Sequence, residues 1–151
     1  MLSAGTLLQS SPMLEDVHFH QAGLLIVQHD ECGSIGFVVN KRFERTLYEL
    51  AEYRHLPAFP LYDGGPVQKD KLYFIHRRPD LVQNGSLIAG ALYLGGDFST
   101  VTSGIMTGKL SGDDIKIFIG YCGWDPGQLE DEINEGSWAI SNQPLEAAFS
   151  I

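Results

Sequence analysis

Cys122, His29 and His76 are the side chains here whose chemistry could serve nucleophilic catalysis, a thiol with an imidazole as its base. Cys122 follows the apolar run Asp114-Ile-Lys-Ile-Phe-Ile-Gly-Tyr121, and the local sequence offers it no positive neighbour to favour a thiolate. It reads first as a small buried hydrophobe. His76 finishes the pattern Lys71-Leu-Tyr-Phe-Ile-His76, on one face with Leu72 and Phe74. It is a base or ligand by type, or an imidazole satisfied by a neighbouring carbonyl. His18 and His20 flank Phe19 and share a face if that stretch is extended. With Glu15 or Asp16 they could hold a metal, but nothing completes such a site, and surface histidines are the simpler reading. No metal and no cofactor is expected.

Other positions suit binding rather than bond breaking. Asn40 closes a strand pattern and could point its amide into a pocket or bond its own turn. Gly64-Gly65-Pro66 lets the backbone bend sharply or approach a ligand closely, although a tight turn at a sheet edge also accounts for it. The absence of a following Lys-Ser/Thr excludes a phosphate loop. Trp124-Asp-Pro-Gly-Gln128 spells out a helix start, with Asp125 at the cap, Pro126 at the first helical position and Gln128 completing a capping box. Trp124 and Leu129 are spaced as a hydrophobic staple. Gly136 supplies the left-handed stop.

The elements that must position these groups follow from periodicity. Gly5–Gln9 predicts a short strand, and Gly23–Gln28 and Ile35–Asn40 predict a hairpin across His29–Ser34 with Gly33 at positive φ. Thr46–Glu52 predicts a short helix with a Thr46–Glu49 capping box. Lys71–His76, Ser86–Ala89 and Ala91–Leu94 predict strands, the last two a hairpin across Gly90. Ser99 to about Lys109 predicts a helix with Val101, Ile105 and Met106 on its apolar side. Asp114–Tyr121 predicts a strand covered on both faces, where only Lys116 reaches water. Trp138–Ile140 adds a strand, and Leu145 and Phe149 dock the tail. Strands with short connections and interspersed helices argue for one α+β domain over residues 1–151 with a largely antiparallel or mixed sheet.

Charge narrows the partners. The chain has 151 residues and a net charge of −9. Residues 113–151 hold eight acids against Lys116 alone, whereas residues 41–78 carry eight basic and five acidic side chains. So acidic a domain repels a phosphate backbone, which disfavours nucleic acid, with a narrow exception at the basic segment. The acidic run Glu130–Glu135 reads as a solvated helix face. No apolar stretch is long enough for a membrane span, and the N-terminus lacks the basic start of a signal peptide. Two cysteines without metal spacing fit free thiols in a reducing cytoplasm.

Six motifs then combine into a resemblance. They are Gly5-x-Leu-Leu, Pro12-Met-x-x-Asp16-x-x-Phe19, Gly36-Phe-Val-Val-Asn40, Gly64-Gly-Pro-Val67, Phe74-Ile-His76, and Gly120-Tyr-x-Gly-Trp-x-x-Gly-Gln-Leu-Glu130 with Trp138. On these the chain resembles the AlgH/YqgE family of bacterial proteins, almost end to end. The family has no established biochemical activity and carries a transcriptional-regulator label. The resemblance implies one α+β domain whose bent sheet closes toward a pseudo-barrel, with flanking helices. This chain departs from the family pattern at Cys122, where a small residue is usual, and at His20-Gln-Ala-Gly23, which replaces an Arg-Ser-Val run. It shows no helix-turn-helix or basic reading helix, so DNA binding is not carried over as a mechanism.

The function expected from all this is a non-enzymatic cytoplasmic protein that binds a protein partner or small molecule, with a regulatory role open. Its expected surface is Asn40, Gly64, Gly65, Pro66, His76, Trp124 and Gln128. The alternatives are a hydrolase using His76 or Cys122, and direct DNA regulation through residues 41–78.

Overall fold

The computed structural model describes residues 2–11 and 22–150. The candidate metal ligands Glu15, Asp16, His18 and His20 lie outside the described residues. Ten strands form one sheet: β1 (Leu7–Ser10), β2 (Gly23–Asp30), β3 (Gly33–Val38), β4 (Arg42–Thr46), β5 (Pro60–Asp63), β6 (Val67–His76), β7 (Ser86–Ala89), β8 (Leu92–Leu94), β9 (Ile115–Trp124) and β10 (Trp138–Ile140). Three helices accompany them: α1 (Phe98–Met106), α2 (Gln128–Asn134) and α3 (Ala147–Ser150). The main path runs β10-β1-β2-β3-β9-β6-β8-β7, all neighbours antiparallel. β5 joins β9 in parallel and carries β4 as a side branch.

β9 is the strand the others are built on. Its first half pairs with β6 on one side and β5 on the other, while Cys122–Trp124 pair with β3. The exchange of β5 for β3 happens around Gly120, which sits at φ +75°. Side chains on a regular strand alternate between faces. Here Ile115, Ile117 and Ile119 face the core beneath α1, whereas Phe118 and Tyr121 both face a second core containing Phe37 and Ile75. Cys122 and Trp124 then enter a third core with Leu129 and Trp138. The left-handed glycine shifts the alternation, as bulges do.

Gly64 and Gly65 cross β9 at the same place. The Gly64 N–H donates to the Ile119 carbonyl at 2.9 Å, and the Gly64 carbonyl accepts from the Val38 N–H at 2.9 Å. A Cβ on Gly64 would lie 2.5 Å from the Gly120 oxygen, one on Gly65 2.3 Å from the Tyr121 oxygen, and one on Gly120 2.3 Å from the Gly65 oxygen. The paired glycines therefore serve a buried crossing of backbone on backbone, not a turn at the sheet edge.

The sheet does not close into a barrel. Its ends approach, since a Cβ on Gly5 would lie 2.6 Å from the Ala89 Cβ, yet no ladder joins β7 to β1 or β10. Leu145, Ala148 and Phe149 join the core cluster that holds Leu7, Ile88 and Leu92, and Leu145 lies beside both Gly5 and Gly90.

Several local expectations are met. The β2–β3 hairpin forms with Gly33 at φ +123°, Gly90 turns β7 into β8 at φ +53°, and Gly136 ends α2 at φ +87°. Others shift. Residues 42–46 form a strand, and the helix expected over Thr46–Glu52 is two short 3-10 turns, Leu47–Glu49 and Ala51–Tyr53, with the Glu49 carboxylate accepting the Thr46 N–H at 2.6 Å. α2 starts after Gly127, left-handed at φ +81°, so Pro126 is not its first residue. Of the expected capping box only the Gln128 side chain's bond to the Asp125 N–H, 2.9 Å, is formed. Met106 is 49% exposed, outside the core that Val101 and Ile105 join. No helix among the described residues is long and apolar enough to cross a membrane.

The crossing makes a stability prediction. Gly120→Ala meets both a left-handed φ and a backbone oxygen, and should cost about 3 kcal/mol or more in urea unfolding. Gly127→Ala has the same sign of φ but open space around its Cβ, and should cost only about 1–2 kcal/mol. Equal costs would mean that the crossing yields to an added methyl.

Candidate functional site

The residues nominated from sequence fall into separate places. His76 pairs across β6–β9 with Ile115, while Trp124 ends β9 nine residues later, a span of about 30 Å at the usual strand rise. They do not share one surface. The Asn40 side-chain oxygen accepts the Gly23 N–H at 2.9 Å, beside the start of β2. The Trp124 and Trp138 indoles both donate to Glu132 Oε1 at 3.1 Å, and Gln128 Nε2 donates to Glu132 Oε2 at 3.3 Å. One carboxylate thus ties α2 to the ends of β9 and β10. Pro66 is exposed next to the crossing.

His76 and Cys122 have structural partners. The His76 ring is fully buried, with Nδ1 accepting the Arg78 N–H at 3.1 Å and Nε2 lying 3.2 Å from the Gly95 carbonyl. That geometry places the proton on Nε2, donating to Gly95. Burial lowers the His76 pKa below the usual histidine value, against the opposing pull of the Gly95 bond, so the ring is neutral. Cys122 is buried and its Sγ lies 3.3 Å from the Gly64 carbonyl. Cys32 is the exposed thiol.

Lys116 overturns its expected exposure. It is 2% exposed, with Nζ donating to the Val39 carbonyl at 2.6 Å and lying 4.2 Å from the centre of the Tyr62 ring. Desolvation, then the nearby Arg42 charge, lower its pKa to about 8. On β9 it faces inward with Phe118, two positions away, and the carbonyl just past the end of β3 takes its proton donor. The local sequence, one lysine in an apolar run, gave no sign of that partner 77 residues away.

A cavity of about 450 Å³ opens between β2–β3 and β6–β8, lined among others by Phe37, Gln68, Tyr73, Tyr121 and Gly95. The Tyr73 and Tyr121 rings stand 5.5 Å apart at 82°, and Phe37 lies 5.9 Å from Tyr73. The Tyr73 hydroxyl donates to Gln68 Oε1 at 2.6 Å. Gln68 has φ +50°, a left-handed conformation in a non-glycine residue, within a break of the β6–β9 register between Val67 and Leu72. Such strain is held by its surroundings and is frequent at functional sites. Two sequence-nominated groups back this cavity without lining it. Gly64 gives room to Phe37 and Gly65 to the Tyr121 backbone, while His76 pins Gly95. Sequence reasoning missed Tyr73 and Tyr121 because an aromatic on a strand reads as core.

One further arrangement joins nucleophile and base types. His29 Nδ1 lies 2.7 Å from Ser34 Oγ and His29 Nε2 3.5 Å from Glu130 Oε2. Ser34 is 4% exposed, paired between His29 and Trp124 in the sheet, which leaves a substrate carbonyl little access to its hydroxyl.

Residues 7–150 match the AlgH-like family. The chain is 37% identical over 150 residues to a UPF0301 protein of Chlorobaculum parvum, covering 99% of this chain and 80% of that one. It is 37% identical over 140 residues to a UPF0301 protein of Parabacteroides distasonis, covering 91% and 71%. The fold is similar to the solution structure of the AlgH protein from Pseudomonas aeruginosa, with TM-score 0.73, 27% identity, and 97% and 80% of the two chains covered. It is also similar to a crystal structure of a Corynebacterium diphtheriae protein, with TM-score 0.78, 22% identity, and 97% and 79% covered.

Lys116 and the cysteines make two predictions. Burial sets the folded-state pKa of Lys116 at about 8 against 10.5 for the free side chain, so between those values the unfolded chain holds more protons. Stability therefore rises with pH through that window, by about 2 kcal/mol between about pH 7.5 and about pH 9.5. Chemical denaturation across this range should show the rise, and Lys116→Met should flatten it. A thiol reagent should label Cys32 promptly and Cys122 only on unfolding; prompt labelling of both would return Cys122 to the catalytic candidates.

Proposed function

The chain belongs to the AlgH-like family, and from that premise we propose that it is a non-enzymatic, cytoplasmic ligand-binding protein with a regulatory role, its site the Tyr73–Tyr121 cavity. The observation that carries this reading is the cavity itself. Its volume, about 450 Å³, falls among those of small-molecule sites, and its wall is mainly apolar with a few placed polar groups. The strained Gln68, bonded to the Tyr73 hydroxyl, adds support, because a left-handed glutamine costs stability that a glycine there would not.

The hydrolase alternative has less behind it. Both His76 nitrogens are engaged in holding backbone, and the Cys122 sulfur is buried against a carbonyl. A general base must reach the proton it abstracts, and a reactive thiol needs access. Direct DNA regulation is not favoured either, given the net charge of −9. Regulation through a ligand-dependent partner remains compatible with the family's label.

A backbone-amide NMR titration with indole, a compact apolar ring with one donor, tests the site. The expected shifts centre on Val27, Phe37, Tyr73 and Tyr121, and they disappear in Ile35→Trp, whose added ring fills the cavity from its lining. Gln68→Gly should keep or raise thermal stability while weakening indole binding. Shifts centred elsewhere, or unchanged in Ile35→Trp, would move the site away from this cavity.

A further inference from the structure

β8 leaves the edge of β6 part-way along it. The Ile119 carbonyl accepts from the Gly64 N–H, on the far side of β9 from β6. The β9 residues whose backbone meets β6 are therefore Phe118 and Lys116, opposite Tyr73 and Ile75. By the same alternation Leu72, Phe74 and His76 turn their N–H and C=O groups the other way, toward β8. That strand pairs only with Ile75 and His76. Its continuation adds one bond, from the Gly95 N–H to the Phe74 carbonyl at 2.8 Å. The Gly95 carbonyl, which a regular ladder would offer to the Phe74 N–H, lies against His76 Nε2 instead. Gly95 and Gly96, at φ +67° and +132°, then carry the chain off toward α1. Among the described residues no backbone group meets the Phe74 N–H or either group of Leu72 on this side. Phe74 is a buried residue, where an unmet N–H is costly.

The space beside this edge is shaped for side chains. Residues on a strand alternate between faces, and the open stretch has a hollow on each. On the Tyr73 face is the cavity of about 450 Å³. On the face of Leu72 and Phe74 is a groove of about 610 Å³, between the 3-10 turn at Ala51–Tyr53 and the start of α1. Tyr53 and Phe98 meet edge to face in its wall at 5.4 Å. Both hollows reach Leu72, Phe74 and Gly96, so they flank one edge. No charged side chain lines the first, and in the second Glu52 and Asp70 offset Lys69 and Lys71. An uncharged occupant suits both.

On the reading that the cavity is a binding space, we propose that its occupant is an extended, uncharged peptide segment of a partner protein, added as a strand to the open edge of β6 beyond β8. One large apolar side chain enters the cavity, and its neighbours in sequence enter the Tyr53–Phe98 groove. An added strand meets successive edge groups in step and presents its side chains alternately to the two faces. A second copy of this chain fits less well, because a sheet edge arrives with its neighbouring strands. The slot is walled by Gln28 and Ile35 on one side and by Tyr53 and Phe98 on the other, room for a single chain.

The capped peptide Ac-Gly-Ser-Leu-Val-Leu-Ser-Gly-NH2 is the probe, and amide hydrogen exchange of the full chain, followed by NMR, is the readout. Saturating peptide should slow the Leu72 and Phe74 amides by roughly tenfold or more, while Tyr73 and Ile75, already bonded to β9, change little. N-methylation of the central valine and N-methylation of both leucines should then act oppositely, one abolishing the protection and the other sparing it, because only alternate peptide amides face β6. These changes are made on the peptide, so the fold of the protein is never at stake. Equal effects of the two N-methylated peptides, or protection centred away from Leu72, overturn strand addition. Indole binding without any protection by the peptide also overturns it, while leaving the cavity a ligand site. Failure of indole and peptide together removes the binding space on which the proposal rests. Protection of Leu72 that grows with protein concentration alone would overturn it as well, by assigning the edge to a second copy.

Discussion

The structure depends on one approach that only glycine permits, the passage of the Gly64–Gly65 backbone across β9 at Gly120. Three hypothetical Cβ atoms there would each lie 2.5 Å or less from a backbone oxygen, so the crossing has no room for side chains on either segment. Its return is a hydrogen-bonded junction in which Gly64 bonds Ile119 on β9 and Val38 on β3. The junction lets β9 change partners from β5 to β3 while the Ile119 carbonyl keeps a donor in the Gly64 N–H. It also puts Tyr121 on the face that Phe118 occupies three residues earlier. Without that shift Tyr121 would belong to the opposite face, and the cavity would lose one of its lining rings.

Much of this arrangement was legible where the physics is local. Gly33, Gly90 and Gly136 mark turns because left-handed backbone strongly favours glycine, and each does adopt it. The alternation of Leu72 and Phe74 with Tyr73 and Ile75 across β6 appears as two separate cores. The tail docks through Leu145 and Phe149 as their composition suggested. The open sheet, the β4 strand and the late start of α2 depend on what packs beside them, and a short window holds no such information. Gly64-Gly65 was visible as a close approach, but the choice between ligand and backbone lies in β9, some 55 residues on. At the site, the carbonyl partner of His76 could be anticipated from its type. The left-handed Gln68 could not, because glutamine carries no preference for that conformation.

Lys116 and His76 show how buried polar groups are used here. Each supplies a proton to a main-chain carbonyl that lies beyond the ladder of its strand, Val39 in one case and Gly95 in the other. Leaving either carbonyl bare would cost about 1–3 kcal/mol, comparable with the gain from replacing the polar side chain by an apolar one. Both pKa values are displaced mainly by desolvation, the pattern that also marks catalytic groups. The geometry separates the two cases. A catalytic imidazole needs a nitrogen facing substrate, and both of His76's face backbone.

The same distinction bears on how a bound ligand would be felt elsewhere. Phe37 and Tyr121 stand on strands locked by the glycine crossing, so they form a wall already in place before binding. A ligand that met only those rings would find no second arrangement to favour and could transmit nothing, however tightly it bound. Gln68 is different. It sits exposed in the bulge of β6, in a conformation that costs energy, and is held to the cavity by the Tyr73 hydroxyl. Between Val67 and Leu72 no ladder pairing to β9 restrains the segment, and Lys69, Asp70 and Lys71 are all exposed there. A ligand that engages the Gln68 amide would therefore act on a strained element of the wall, in a segment whose anchors besides the Tyr73 hydroxyl include the Lys69–Asp63 ion pair at 2.6 Å.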